Sequence, residues 1–420
     1  MGEKLLAQRI LCLLRNTESA ASPVARALLG WAADESGWLW PDVRFAQPDG
    51  DGTGETLDWA CLARRAGDIA VEEAEPLLFA TVRSAARLLG LEGFDSQLLA
   101  IGVALARLPK LAHLRRRLLT AGADIVDLAG QLAGAAAAEA SARVRRSEPV
   151  ALGLLSVASN CATLDLVLDW DFDHALDQQG ADEAALFEAL AGIRQGPGLA
   201  PADFAELGET FSLLVRLLSG ALRARAPGIN LLIHGPPGTG KTELARTLAA
   251  AAGARLFAVG ECDPDGDEPT RWQRLAALKR GQRLLAPGGD SLILFDEMED
   301  LFADAAHTSG GGRRAGSKIF VNRLFEANPV PTLWTSNDGS AIDPAHLRRM
   351  SFILRMDHPS PKARARIVAR AAEAEGAAEA AAGLLPLAAR EAETASVARL
   401  ALRAAALAGG GGAVAEAAGR

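Results

Sequence analysis

The sequence predicts an α/β fold: a parallel sheet in the C-terminal half, a small helical segment after it, and a mostly helical N-terminal half. Three observations predict this. After about residue 228, short apolar runs alternate with helical ones, as in a parallel sheet covered on both faces. A glycine-rich loop at 235–242 sits where one apolar run passes into a helix. Before about residue 200, apolar positions recur at three- and four-residue spacing, and alanine, about one residue in five of the chain, favours helix. The boundaries follow: a helical adaptor over 1–200, an α/β subdomain over 201–356 and a helical lid over 357–420.

In the N-terminal half the helical runs are 77–89, 96–108 and 111–119. Between them and the start, 37–59 carries Trp38, Trp40 and Trp59 around Pro41, Pro48 and a Gly/Asp cluster, and reads as a loop that its tryptophans anchor onto a helical core. Arg115–Arg117 and Arg143, Arg145 and Arg146 form small basic clusters. Helices followed by short strand-like runs at 150–156 and 162–168 give a winged-helix-like order, which can bind DNA. The charge opposes that use: of a net −8, about −9 falls before residue 201 and about +1 after it. Pro197 to Pro201 reads as a linker.

The strand runs that follow are 230–234, 256–259, 291–296, 332–336 and 352–356, with helices at 241–252, 270–285, 318–327 and 344–349. Sheets of this kind bind ligands at the carboxyl ends of their strands. The motifs below begin there.

Composition excludes several classes. The chain has 420 residues, 49% hydrophobic and 23% charged, which is an ordinary globular balance. No uncharged apolar run reaches about 18 residues, so no membrane span is expected. Lys4, Arg9 and Arg15 interrupt the first apolar run, unlike a signal peptide. Cys12, Cys61, Cys161 and Cys262 are widely spaced, as buried thiols of a reducing, cytoplasmic setting would be. Only six lysines stand among 44 basic residues, a GC-rich, bacterial-like usage.

Gly235-Pro236-Pro237-Gly238-Thr239-Gly240-Lys241-Thr242 is a complete G-x-x-x-x-G-K-T loop between a strand and a helix. Its glycines let the backbone wrap phosphates, and its N–H groups and helix start favour the anion. Lys241 supplies charge to the β- and γ-phosphates, and Thr242 offers a hydroxyl to Mg²⁺. About 55 residues on, Ser291–Phe295 delivers Asp296 and Glu297 at a strand end. Asp296 suits the magnesium shell, and Glu297 suits the base that polarises an attacking water. Thr335-Ser336-Asn337 ends another strand, from which Asn337 can orient the same water. The Arg348-Arg349 pair follows a short helix and suits an arginine finger.

Together these motifs resemble the AAA+ ATPases of the P-loop NTPase superfamily, in particular the AAA clade with a second region of homology. That region runs Ser/Thr-Asn, five residues, Asp-x-Ala, two residues, Arg. Ser336-Asn337 and Asp343-Pro344-Ala345-His346-Leu347-Arg348 match it in register. The resemblance covers about residues 201–420. It implies ATP hydrolysis with Mg²⁺, a ring of like subunits (a hexamer in the family), and nucleotide at the subunit interface. It further implies that Asp296 and Glu297 are the Walker B pair, Asn337 sensor 1, and Arg348, with Arg349 beside it, the finger acting in trans. The run from Asp203-Phe204 falls where the adenine would lie.

Three departures from the clade stand out. Ser351 replaces a second arginine. At 393–396 the lid reads Glu-Thr-Ala-Ser in place of an aromatic-Ser-Gly-Ala start, with Arg399 the nearest arginine for a second sensor. The segment 260–269, where protein-threading members carry an aromatic pore loop, is acidic and lacks an aromatic, with Trp272 assigned to the next helix. A basic glycine loop, Gly310-Gly311-Gly312-Arg313-Arg314, lies beyond the Walker B pair. The expectation is an ATPase that remodels a protein client, met through the N-terminal half, without processive threading. A DNA-associated ATPase and an ATP-gated assembly scaffold are the alternatives.

Overall fold

The computed structural model describes residues 2–46, 54–70, 75–160, 163–178, 183–260, 269–299, 301, 323–339, 342–374, 400, 402, 403 and 407. The acidic 261–268 segment, the basic glycine loop and the 393–399 stretch lie outside them. The chain forms two compact units, the first over Met1–Leu190 and the second from Ala191 onward. The division falls earlier than the 200/201 boundary read from proline and glycine content, because a short strand at Ile193–Gln195 joins the second unit's sheet.

The first unit is built from α1 (Glu3–Thr17), α2 (Pro23–Asp34), α3 (Trp59–Arg65), α4 (Leu77–Leu88), α5 (Gly93–Arg107), α6 (Pro109–Thr120), α7 (Ile125–Leu132) and α8 (Ala140–Arg145). An antiparallel hairpin of β1 (Leu155–Asn160) and β2 (Thr163–Leu168) follows, then α9 (Trp170–Gln178) and α10 (Glu183–Ala191). The helices start where side-chain oxygens meet free backbone N–H groups: Ser22 accepts from Ala25, Asp58 from Cys61 and Asp124 from Asp127. The expected strand at 150–156 is corrected. Pro149 opens a helical turn over Glu148–Ala151, a position that needs no N–H, and the strand begins only at Leu155. Trp40 is buried and its indole donates to the Arg65 carbonyl at 3.0 Å, so it fastens the Trp-rich loop to the core. Among the described residues no single helix is long and apolar enough to cross a membrane.

The second unit holds a six-stranded sheet. Its strands are β3 (Ile193–Gln195), β4 (Asn230–His234), β5 (Arg255–Ala258), β6 (Ser291–Phe295), β7 (Thr332–Ser336) and β8 (Phe352–Arg355). Their order is β3-β5-β6-β7-β4-β8. All pairings are parallel except that of β3 with β5. The crossover helices are α11 (Glu209–Ala224), α12 (Lys241–Ala251), α13 (Arg271–Leu285) and α14 (Pro344–Leu347), and α15 (Pro361–Ala374) follows the sheet. β6 and β7 are buried at every residue, which is why they read as unbroken apolar runs and not as alternating ones. On one face Leu231, Ile233, Leu292, Leu294 and Leu333 pack against Leu214, Leu244 and Leu248. On the other, Trp334 packs between Phe295, to which it is tilted, and Phe325, which it meets edge to face, at centroid distances of 5.1 and 4.9 Å. Its indole donates to buried Asn230 at 3.0 Å, so the fully buried polar side chain of β4 is satisfied.

Candidate active site

Strand order brings the motifs together. β6, β7 and β4 lie side by side and run the same way, with Phe295 opposite Trp334 and His234 opposite Ser336. The residues just past their carboxyl ends are Asp296, Asn337 and the 235–242 loop, so chain segments far apart in sequence meet at one edge.

The loop turns tightly. The backbone N–H of Gly235 donates to the Ser336 carbonyl at 3.2 Å, and that of Met356 donates to the His234 carbonyl at 2.7 Å. A Cβ on Gly235 (φ +150°) would fall inside the Met356 carbonyl oxygen, so only glycine fits. Gly240 (φ +86°) leads into α12, and Thr239 ties the loop by donating to the Pro236 carbonyl at 3.0 Å. Lys241 is 7% exposed. Its ammonium donates to the carbonyls of Gly235 and Pro236 and to Asn337 Oδ1, each at 2.9 Å. Burial pushes its pKa down, while Asp296, Glu299 and Glu297 oppose that by favouring the charge. Beside the loop, burial and then the Arg355 charge push the His234 imidazole below its ordinary range, which favours the neutral form.

Asp296 is held on both oxygens. Thr242 donates to Oδ2 at 3.0 Å, and Thr335 donates to Oδ1. Glu297 carries an exposed side chain on a left-handed backbone (φ +52°). Asn337 Nδ2 donates to Glu297 Oε1 at 3.4 Å, and the backbone N–H of Asn337 donates to Glu299 Oε1 at 2.9 Å. Asn337 therefore bridges the ammonium and the carboxylate, its oxygen toward the first and its amide toward the second. Two hard oxygen donors already in contact, Thr242 and Asp296, fit Mg²⁺, which takes few protein ligands and keeps several waters. Among the described residues no cluster of three or more His, Cys, Asp or Glu is placed to hold a metal ion.

These groups line one cleft of about 950 Å³, the size of a small-molecule site. Pro237 to Glu243, Asp296, Glu297 and Asn337 form its polar end. Phe204, Leu207, Met356 and Ile367 form an apolar end, where the sequence placed the base beside Asp203-Phe204. The α15 helix is tied there: Arg370 pairs with Asp203, and Ser360 donates to Glu206.

The arginine pair separates. Arg349 donates to Glu326 at 2.7 Å and to the Ala345 carbonyl at 2.6 Å. Arg348 is exposed, makes no side-chain bond among the described residues, and does not line the cleft. Asp343 caps α14 by accepting from the Ala345 N–H at 2.8 Å, which orients the turn that carries both. Ser351 serves the packing of the sheet, since its hydroxyl accepts from the Asn230 N–H at 3.1 Å. Sequence patterns did not single out Arg274. This residue, 6% exposed, donates to the carbonyls of Asp296 and Glu297. Its signal was an arginine within the apolar stripe of α13, in line with buried Leu278, Gly281 and Leu285.

Residues 231–358 match the family model described as ATPase family associated with various cellular activities (AAA). Three curated relatives are similar to part of the chain. ATP-dependent zinc metalloprotease FtsH 1 of Symbiobacterium thermophilum is 33% identical, over 36% of this chain and 26% of its own. An AAA ATPase forming ring-shaped complexes, from Micrococcus luteus, is 32% identical, over 35% and 28%. CD-NTase-associated protein 6 of Pseudomonas aeruginosa is 34% identical, over 32% and 49%. The matched region thus spans between a quarter and a half of each relative. The solved FIGL-1 AAA domain in complex with ADP is 20% identical over 51% of this chain and 76% of that one, at a TM-score of 0.37, too slight a likeness to add to the sheet order. With strands, loop and carboxylates in this order and the family model across them, residues 231–358 form an AAA domain, the P-loop NTPase module of the AAA+ ATPases.

Proposed function

We propose that this chain hydrolyses ATP to ADP and phosphate with Mg²⁺, as a ring of like subunits that remodels a protein partner. One observation carries the hydrolytic reading: Lys241, Thr242, Asp296, Glu297 and Asn337, drawn from three neighbouring strand ends, line a single cleft. Lys241 would exchange its carbonyl partners for phosphate oxygens, and the loop glycines would present backbone N–H groups to them. Thr242 and Asp296 would hold Mg²⁺, which when bound offsets phosphate charge. Glu297 would take the proton of the attacking water, and Asn337 would fix that water's orientation from the other side. Phe204 and Ile367 would flank the base.

Arg348 supports assembly. It is a charged group on a capped turn, without a partner among the described residues and outside its own cleft, so a neighbour's nucleotide is its natural target. The similarity to a Micrococcus luteus protein that forms ring-shaped complexes points the same way. A protein partner is favoured over nucleic acid by the acidic balance of the N-terminal half and by the pairing of part of its basic clusters. Arg115 pairs with Asp165 at 2.9 Å, Arg117 with Asp34, and the Arg143 guanidinium lies 4.1 Å from the Phe94 ring centre. Arg116, Arg145 and Arg146 are exposed, a small positive charge set against about −9 over the N-terminal half, and that acidic balance repels a phosphate backbone.

The test is a pair of variants. Lys241→Ala should lose ATP binding by calorimetry. Glu297→Gln should keep binding while phosphate release falls by about 10²-fold or more. Unchanged affinity in the first, or wild-type turnover in the second, would overturn the assignment.

A further inference from the structure

We infer that Arg274 is the positioning residue that sets the pose of the Glu297 carboxylate, an inference that rests on the hydrolytic reading above. Glu297 has a left-handed backbone, φ +52°, at a residue that is not glycine. Such a conformation is disfavoured for a residue that carries a Cβ and persists only where surrounding bonds impose it.

The bonds are on both sides of its Cα. The peptide plane before it carries the Asp296 carbonyl, which accepts from Arg274 Nη2, and the Glu297 N–H, which donates to Thr335 Oγ1 at 3.1 Å. The plane after it carries the Glu297 carbonyl, which accepts from Arg274 Nη1 at 3.3 Å, and the Met298 N–H, which donates to the Thr335 carbonyl at 2.9 Å. Each plane is thus gripped once by Arg274 and once by Thr335. Fixing both planes fixes φ and ψ, and with them the direction in which the carboxylate leaves the backbone.

A guanidinium suits this role because its forked donors reach two carbonyls at once, whereas an ammonium is a point donor. Arg274 is itself held. Its guanidinium lies 4.5 Å from the Phe295 ring centre, a cation–π contact within the buried layer. The first turn of α13 packs closely on the end of β5, where a Cβ on Gly260 would come within 3.1 Å of the Arg274 Cα. Arg274 does not line the cleft, so it acts through Glu297 and not on nucleotide.

The experiment uses the full chain and compares Arg274→Met, Arg274→Lys and Glu297→Gln, alone and combined. Expected is a fall in kcat of about 10²-fold for both Arg274 variants, as for displacement of a catalytic group by about an ångström. ATP affinity and KM stay within about twofold, since no nucleotide contact is touched. In the Glu297→Gln background the Arg274 variants cause no further loss, because the group they position is already gone. Arg274→Lys keeps the charge and the buried stem, so it tests the fork even if Arg274→Met does not fold. Wild-type turnover in Arg274→Lys, a parallel rise in KM, or a loss that adds to that of Glu297→Gln would each overturn the inference. Failure of the hydrolytic reading shows separately, as undiminished turnover in Glu297→Gln alone.

Discussion

Asn337 concentrates the chemistry of the cleft in one side chain. Its oxygen accepts from Lys241 at 2.9 Å and its amide donates to Glu297 at 3.4 Å, so an amide is the one group of this size that satisfies an ammonium and a carboxylate together. Asn337→Ala removes both bonds and leaves the P-loop in place. It should lower kcat by about 10²-fold with ATP affinity nearly unchanged, if a water is aligned there. Asn337→Asp keeps the bond to Lys241 and sets a second carboxylate against Glu297. Like charges in contact repel, so the Glu297 carboxylate loses its bonded pose. Asn337→Asp should therefore lower kcat at least as far as Asn337→Ala does, again with ATP affinity within about twofold. Wild-type turnover in Asn337→Asp would show that the amide bond to Glu297 has no part in the reaction.

At the scale of elements, the 235–242 loop depends on two glycines for different reasons, and stability should tell them apart. Gly235→Ala drives a methyl into the Met356 carbonyl, a backbone atom fixed by the pairing of β8 with β4. Relief requires shifting that pairing, at a cost of about 3 kcal/mol. Gly240→Ala meets nothing within 4 Å and suffers only the left-handed strain, about 1–2 kcal/mol. Denaturant unfolding without nucleotide should rank Gly235→Ala as the more damaging, and the reverse order would refute the steric account. Both glycines were legible in sequence because the motif fixes their spacing, and so were the central strands. Asn230–His234 and Thr332–Ser336 stand where the apolar runs put them, since buried parallel strands leave no ambiguity of face. β3 was not legible: three residues, Ile193-Arg194-Gln195, on an exposed edge have no period to read. Nor was the strand order that seats Asn337 between Lys241 and Glu297. That order is a matter of long-range pairing, and only the motif endings hinted at it. Arg274 was hidden for a related reason, since it acts on backbone carbonyls that no side-chain pattern reports.

At the scale of the whole molecule, the two arginines after α14 differ in what they bond. Arg349 is engaged with Glu326 and the Ala345 carbonyl, while Arg348 makes no side-chain bond among the described residues. If Arg348 completes a neighbour's site, each competent interface combines Glu297 of one subunit with Arg348 of the next, a head-to-tail arrangement that closes into a ring. Arg348→Ala subunits alone and Glu297→Gln subunits alone should then both be nearly inactive. Mixed, they regenerate one kind of interface in which the Arg348→Ala subunit supplies Glu297 and its Glu297→Gln neighbour supplies Arg348. Random mixing at equal amounts makes about a quarter of interfaces of this kind, so ATPase activity should peak near equal mixing at about that share of wild type. Action within one subunit predicts no recovery at any ratio, because every chain lacks one of the two groups. Native mass spectrometry on the same samples establishes whether mixed assemblies form. Mixed rings without recovered phosphate release would place Arg348 outside the reaction, and recovery would fix the subunit interface as the place where hydrolysis is completed.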